Sequence, residues 1–220
     1  MGNKILVLGE SGSGKSTSTQ HLDHKSTFYI NAIGKSLPFK GWKAKYVEGK
    51  NMVSTYNADE IVKCVKGVSE KMPEIKTIIV DDAQYIMSYE FMARAKERGF
   101  DKFTEIAQNM FNVLKSPDKT RADLTTIFLC HSEDVSANGY TKTKMKTIGK
   151  MLDDKITIEG LFTIVLIAYP IMENKIPKYK FVTQSNGTTT AKTPMGMFKD
   201  VVIENDLGMV LNTIKEYEEG

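Results

Sequence analysis

Nine residues near the start of the chain, Gly9-Glu10-Ser11-Gly12-Ser13-Gly14-Lys15-Ser16-Thr17, have the spacing G-x-x-x-x-G-K-[ST]. Glycines at these positions let the backbone turn tightly and aim several N–H groups at one anion. Lys15 at the end of such a turn reaches the β- and γ-phosphates of a nucleotide. The Ser16 hydroxyl then ligates magnesium, and Thr17 touches the α-phosphate. Gly9, Ser11, Gly12, Ser13 and Gly14 complete the cradle. A chance match in a chain of 220 residues has odds of about one in a hundred. The neighbourhood lowers them, because Lys4-Ile5-Leu6-Val7-Leu8 reads as a buried strand leading in. A helix starting near Lys15 is expected to lead out.

A second group of chemically able residues is Asp81 and Asp82, which end the apolar run Thr77-Ile78-Ile79-Val80. An acid at a strand end beside a phosphate loop can hold magnesium and its water shell. Asp81 is assigned that role with Ser16. Asp82 either orients the attacking water or is a surface acid or helix cap. A third position is His131, read as the polar end of the strand Thr125-Thr126-Ile127-Phe128-Leu129-Cys130. It is either a sensor of the γ-phosphate or a hydrogen-bonded structural histidine.

Residues 132–150 have little apolar periodicity and carry Lys142, Lys144, Lys146 and Lys150. They read as a long loop or mobile hairpin. Lysines so spaced suit a phosphate backbone, a neighbour's γ-phosphate, or solvent alone. Residues 188–199, with Lys192 and Lys199, are a second candidate. Gly34-Lys35-Ser36 mimics a phosphate loop, but Tyr29 stands where its first glycine would be, and Pro38 interrupts a following helix. It reads as a loop, and contact of Lys35 with nucleotide or a neighbour is only an alternative left open.

These residues need a scaffold. Residues 28–33, 77–80, 124–129 and 162–169 read as buried strands, and residues 59–71, 84–95 and 101–115 as helices. Asn57 or Asp59 caps the first of these helices, and Asp206 caps a last one through Tyr217. Residues 34–50 read as loop, residues 179–183 as a further strand, and Asn186-Gly187 as a turn. Alternating strands and helices imply an α/β fold, a mainly parallel sheet covered on both faces. The later strands imply an antiparallel extension. One domain over residues 1–220 is expected, with a core to about residue 170 and a hairpin and helix over 171–220.

Composition bounds the function. Hydrophobic residues make up 41% of the chain, charged residues 26%, and the net charge is +3. That charge is too small to argue nucleic-acid binding alone. Arginine occurs only at 94, 98 and 121, so an arginine clamp must use those or come from another subunit. Cys64 and Cys130 sit in apolar patterns and read as core thiols of a reducing compartment. No signal peptide is visible, and the apolar stretch 161–172 is too short for a bilayer and holds Thr163 and Pro170. The expectation is a cytoplasmic protein with no membrane partner.

The order of phosphate loop, Asp-Asp strand, His-ended strand and basic loop resembles the RecA-like phage ATPases of the single-strand annealing and recombination type. The phrases GESGSGKST, IIVDDAQYIM, KTKMKTIGKMLDDK and TQSNGTTTAKTPMGMF carry the resemblance over most of the chain. It implies a P-loop NTPase with a RecA-like three-layer core, and ATP with Mg2+ at subunit interfaces of a homo-oligomer. It also implies single-stranded DNA as partner, possible cooperation with a single-strand DNA-binding protein, and, for a phage protein, the host cytoplasm. His131 and the following loop take the sensor and DNA-binding positions. The family's catalytic glutamate usually ends the second strand, where this chain reads Asn31-Ala32-Ile33-Gly34. Three functions stay open: a DNA-stimulated ATPase, a nucleotide-gated interaction protein with little turnover, and a small-molecule or nucleoside kinase. No guanine-reading Asn-Lys-x-Asp is present, which favours ATP over GTP.

Overall fold

The computed structural model describes residues 2–137, 140–148 and 155–220. Its frame is a sheet in the order β3-β2-β4-β5-β1-β7-β8-β9. These strands are β1 (Asn3–Gly9), β2 (Thr27–Asn31), β3 (Met52–Ser54), β4 (Thr77–Asp81), β5 (Thr125–Ala137), β7 (Ile164–Glu173), β8 (Ile176–Val182) and β9 (Val202–Glu204). A further strand, β6 (Tyr140–Met145), pairs only with β5. From β3 to β7 every pairing is parallel; β8 and β9 add on antiparallel.

Strand period explains the layers. In β1, Leu6 and Leu8 point to one face and Ile5 and Val7 to the other, and all four are buried. Each such burial is worth about 1.5–3 kcal/mol, so the strand that carries the phosphate loop is pinned from both sides. The first face is covered by α2 (Ala58–Lys71), α3 (Gln84–Ala93) and α4 (Asp101–Lys115). The second is covered by α5 (Leu207–Glu219), through Leu207, Val210 and Ile214, and by Leu22, Leu37 and Tyr46 beside a short α1 (Trp42–Lys45). The result is the three-layer α/β architecture, mainly parallel with antiparallel C-terminal strands, implied by the RecA-like resemblance.

Two caps follow the sequence reading. Asn57 accepts from the Glu60 N–H, and Asp206 accepts from those of Gly208 and Met209. Several boundaries differ. The expected loop over 34–50 contains α1, and β3 follows it, a strand too short to show periodicity. The β7–β8 connection turns at Asn174 and Lys175, both with positive φ (51° and 65°), a turn the sequence reading did not mark, while Gly187 of the expected Asn186-Gly187 turn has φ 98°.

The largest departure follows the phosphate loop. Instead of a helix from Lys15 there is a single 3-10 turn, Thr17–Thr19, and β2 begins eight residues later. Ser18 Oγ donates to the Lys15 carbonyl at 2.5 Å and Thr19 Oγ1 to the Ser16 carbonyl at 2.8 Å. Such hydroxyls compete with helix propagation, and the Ser/Thr run has little propensity to resist them.

Candidate functional site

The phosphate loop leaves β1 at Gly9, which lies level with His131 of β5. The chain then turns back, with Ser13 N–H donating to the Glu10 carbonyl at 3.2 Å. Gly14 has φ 94°, and a Cβ there would lie 2.6 Å from the Tyr179 ring of β8. At Gly9 a Cβ would meet the Ala168 carbonyl of β7 at 2.6 Å. Both glycines are therefore demanded by close approach. Among the described residues, no protein acceptor takes the N–H groups of Gly14, Lys15, Ser16 or Thr17. With only one 3-10 turn behind them, these local donors and Lys15, rather than a long helix dipole, must hold an anion.

Lys15 is 5% exposed, and its Nζ donates to the Gly9 and Glu10 carbonyls, each at 2.8 Å. Burial lowers its pKa to about 8, against the opposing pull of Asp82 and Asp81. Next to it, Ser16 Oγ donates to Asp81 Oδ1 at 2.9 Å. Asp81 is fully buried, and its second oxygen accepts from the Tyr29 hydroxyl at 2.8 Å. Burial, then the charge of Asp82, raises its pKa. Tyr29 was missed by sequence reasoning. The available signal was a tyrosine inside an apolar strand, whose buried hydroxyl must find a partner.

Asp82 follows with φ 56° and is 1% exposed. Lys35 Nζ forms an ion pair with its Oδ2, and His131 Nε2 lies 3.4 Å from its Oδ1. Neither oxygen receives a well-directed hydrogen bond. Burial pushes this carboxyl's pKa up, but His131 and Lys35 outweigh it and the net direction is down. Asp82 is thus neither a surface acid nor a helix cap.

Lys15, Ser16, Lys35, Asp82 and His131 converge on one cleft of about 280 Å³, lined by residues 11–17 with Lys35, Ser36, Pro38, Asp82, His131 and Tyr179, while Asp81 and Tyr29 are fully buried outside that lining, Asp81 reaching it through Ser16. The donor set fits magnesium, since a hydroxyl and a carboxylate already share one point and both are hard oxygen ligands. Ser13 Oγ, buried and without a partner, lines the same cleft and fits a phosphate oxygen.

His131 does not end its strand, as the sequence suggested. β5 runs on to Ala137, because residues 132–137 pair with β6 from Ser132↔Met145 outward. Met145 is fully buried and anchors the base of this ladder. His131 donates its backbone N–H to Gln84 Oε1 at 3.0 Å, and its ring meets Tyr85 edge-on at 5.8 Å. The basic segment is thus a hairpin growing out of the cleft wall.

Lys142 pairs across from Val135, and Lys144 across from Glu133, with an ion pair at 3.6 Å. Lys146 is exposed, its backbone N–H donating to the His131 carbonyl. Lys150 lies outside the described residues. The second candidate segment is a strap: Lys192 exchanges both backbone bonds with Val165, and Thr190 Oγ1 donates to the Thr143 carbonyl.

The arginines sit elsewhere. Arg94 binds Glu90, Glu97 and Glu105. Arg121 donates to the carbonyls of Val68, Ser69, Met72 and Ile75, and Arg98 is exposed. None lines the cleft.

Residues 1–195 match the family described as AAA domain (AAA_24). The chain belongs to this AAA-domain family. Its phosphate loop and sheet are those of a P-loop NTPase. No curated protein matches the chain. Solved structures similar to this AAA domain include the KaiC-like protein PH0186 from the hyperthermophilic archaeon Pyrococcus horikoshii OT3. It is 14% identical, with 82% of this chain and 77% of that one covered and a TM-score of 0.46. Another is the flagellar accessory protein FlaH from Methanocaldococcus jannaschii, at 17% identity, 82% and 76% coverage and a TM-score of 0.41. Among the described residues, no helix is long and apolar enough to cross a membrane.

Proposed function

We propose that this AAA domain binds ATP with Mg2+ in the cleft, hydrolyses it slowly, and couples nucleotide state to the β5–β6 hairpin, whose partner is single-stranded DNA. The carrying observation is that β5 is one continuous strand from the cleft to the hairpin. It passes His131 beside Asp82 and continues six residues further, about 20 Å at the usual rise. A change at the phosphate end is therefore felt directly by the strand that bears the hairpin.

In this reading Gly14, Lys15, Ser16 and Thr17 hold the phosphates by N–H groups and the Lys15 ammonium, while Ser16 and Asp81 hold the metal. Magnesium, when bound, supplies charge neutralisation across the β- and γ-phosphate oxygens. Lys142, Lys144 and Lys146 supply cations for a nucleic-acid backbone, tempered by Glu133 and Asp134 on the facing strand. Because no arginine of the chain lines the cleft, an arginine over the transferred phosphoryl would come from a neighbouring copy, with nucleotide at the interface of a homo-oligomer. This also disfavours a self-sufficient nucleoside kinase. A role in phage-type recombination, annealing or replication in the cytoplasm, beside a single-strand DNA-binding protein, accords with the sequence resemblance.

A second reading, a nucleotide-gated interaction protein with little turnover, is favoured by one observation. β2 ends in Asn31 rather than an acid, and Asp82 is already engaged by Lys35 and His131. The test is ATP hydrolysis with and without single-stranded DNA, wild type beside Lys15→Ala. DNA stimulation that vanishes in the variant supports the first reading. ATP binding without turnover transfers support to the second, and phosphoryl transfer to a nucleoside overturns both.

A further inference from the structure

Lys35 reaches the cleft from outside both motifs that define it. Its loop is held by the residue that stands where an acid would be expected. Asn31, 1% exposed, accepts from the Gly34 N–H at 3.0 Å and donates its amide to the Lys35 carbonyl at 2.7 Å. Leu37, two residues on, is buried in the core on the α5 face. The Lys35 backbone is thus clamped on both sides, while its side chain is 42% exposed and lines the cleft with the phosphate loop. Its partner differs in every respect. Asp82 is 1% exposed, held in the left-handed region, and its oxygens lack well-directed donors. One end of the ion pair is fixed and buried, and the other is long, partly solvated and next to the anion site.

A lysine is a compact point charge on a flexible stem, suited to exchanging one anion for another. A triphosphate offers it a second anion in the cleft that a diphosphate lacks. No arginine of the chain lines the cleft, and among the described residues its lysines are Lys35 and Lys15.

Resting on the nucleotide reading of this site, we propose that Lys35 is a second phosphate ligand that recognises the terminal phosphate of a nucleoside triphosphate by leaving Asp82 for it. The buried Asp82 is then left with His131 as its contact and the Lys15 ammonium as a neighbouring charge. That contact sits midway along β5, where the pairing with β6 begins, so gain or loss of the terminal phosphate alters the charge against the strand that carries the hairpin. The exchange makes no covalent bond. It replaces one ion pair with another.

The experiment compares binding of ADP and of a non-hydrolysable ATP analogue, both with Mg2+, by calorimetry on wild type, Lys35→Met, Lys35→Arg, Asp82→Asn and Lys15→Ala. Wild type is expected to bind the analogue at least tenfold more tightly than ADP. Lys35→Met should lose about tenfold for the analogue while ADP stays within twofold, which also shows that the variant is folded. Lys35→Arg should keep most of the preference. Asp82→Asn removes the competing carboxylate at a backbone conformation that asparagine tolerates, so analogue affinity should rise with ADP unchanged. The proposal is overturned if Lys35→Met leaves the analogue-to-ADP ratio unchanged or lowers both affinities together. It is equally overturned if Asp82→Asn weakens the analogue, for the pair would then position the lysine rather than compete for it. If wild type binds neither nucleotide, the reading of the whole site falls. If wild type binds both in a Lys15-dependent manner and only the Lys35 result fails, the fault lies with this inference alone.

Discussion

Replacing Tyr29 with Phe removes one oxygen from the interior and leaves the ring, which packs 5.1 Å from Tyr46, in place. The lost bond runs 2.8 Å to Asp81 Oδ2, between two side chains with no exposure to water. A hydrogen bond to a charged group is worth about 1.5–3 kcal/mol, or roughly 10- to 150-fold in an equilibrium. No water reaches the orphaned oxygen, so the upper half of that range is the better guide. The loss acts on the carboxylate specifically, because a donated bond favours the ionised form. Burial, and then the charge of Asp82, already raise the pKa of Asp81, and Tyr29→Phe raises it further. The expected outcome is a magnesium requirement at least tenfold higher in the nucleotide complex. Nucleotide binding in the presence of a chelator should be unchanged, since Lys15 and the loop N–H groups do not depend on Tyr29. The assay is a magnesium titration at fixed nucleotide, paired with a nucleotide titration in EDTA. A midpoint that moves less than twofold, or equal losses with and without metal, would refute the assignment of Tyr29 as the residue that holds Asp81 ready for metal.

Gly9→Ala would place a methyl 2.6 Å from the Ala168 carbonyl, and relieving it must part β1 from β7. A loss of about 1–3 kcal/mol is expected in denaturant titrations, with weakened nucleotide binding, and a fully stable variant would show the loop to be more open than described. Arg121→Met strips the guanidinium from four carbonyls at the end of α2. It should cost about 3 kcal/mol in urea unfolding while leaving nucleotide affinity intact, and an affinity change would mean that α2 is coupled to the cleft. For the hairpin, Lys142→Ala with Lys146→Ala should reduce the salt slope of single-stranded DNA binding by about 1.4, at about 0.7 per contact. An unchanged slope would take these lysines out of the DNA interface.

The features legible in the sequence were local. The loop from Gly9 to Thr17, the strand ending in Asp81 and the stripes of α2 and α4 announce themselves within a dozen residues. Contacts between distant segments were not legible. Lys35 and Asp82 are 47 positions apart, and nothing in Gly34-Lys35-Ser36 shows that Asn31 bends the loop toward the cleft. Tyr29 is 52 positions from Asp81. β5 looked shorter because beyond His131 both faces of its ladder with β6 carry polar residues, so no hydrophobic alternation marks its continuation. The helix expected after Lys15 was inferred from motif context, and the hydroxyls of Ser18 and Thr19 prevailed over it. The scarcity of arginine is plain in the sequence, but the work of Arg121 depends on where α2 ends in space.

Tyr179, packed against Gly14, has a consequence for the order in which the protein is made. The phosphate loop is made well before Tyr179, its strand lies between β5 and β7, and the ring beneath it comes from β8. At ordinary elongation rates of about 5–20 residues per second, roughly 10–30 s separate the synthesis of Gly14 from that of Tyr179. For about the first two thirds of that interval β1 is an apolar strand without either neighbour, and β7 joins only near its end. A nucleotide cannot rescue it, because the walls of the cleft do not yet exist. The nascent chain therefore keeps an apolar strand unpaired until β5 and β7 are made, and the place of Tyr179 in the chain sets when the loop of that strand gains its last wall.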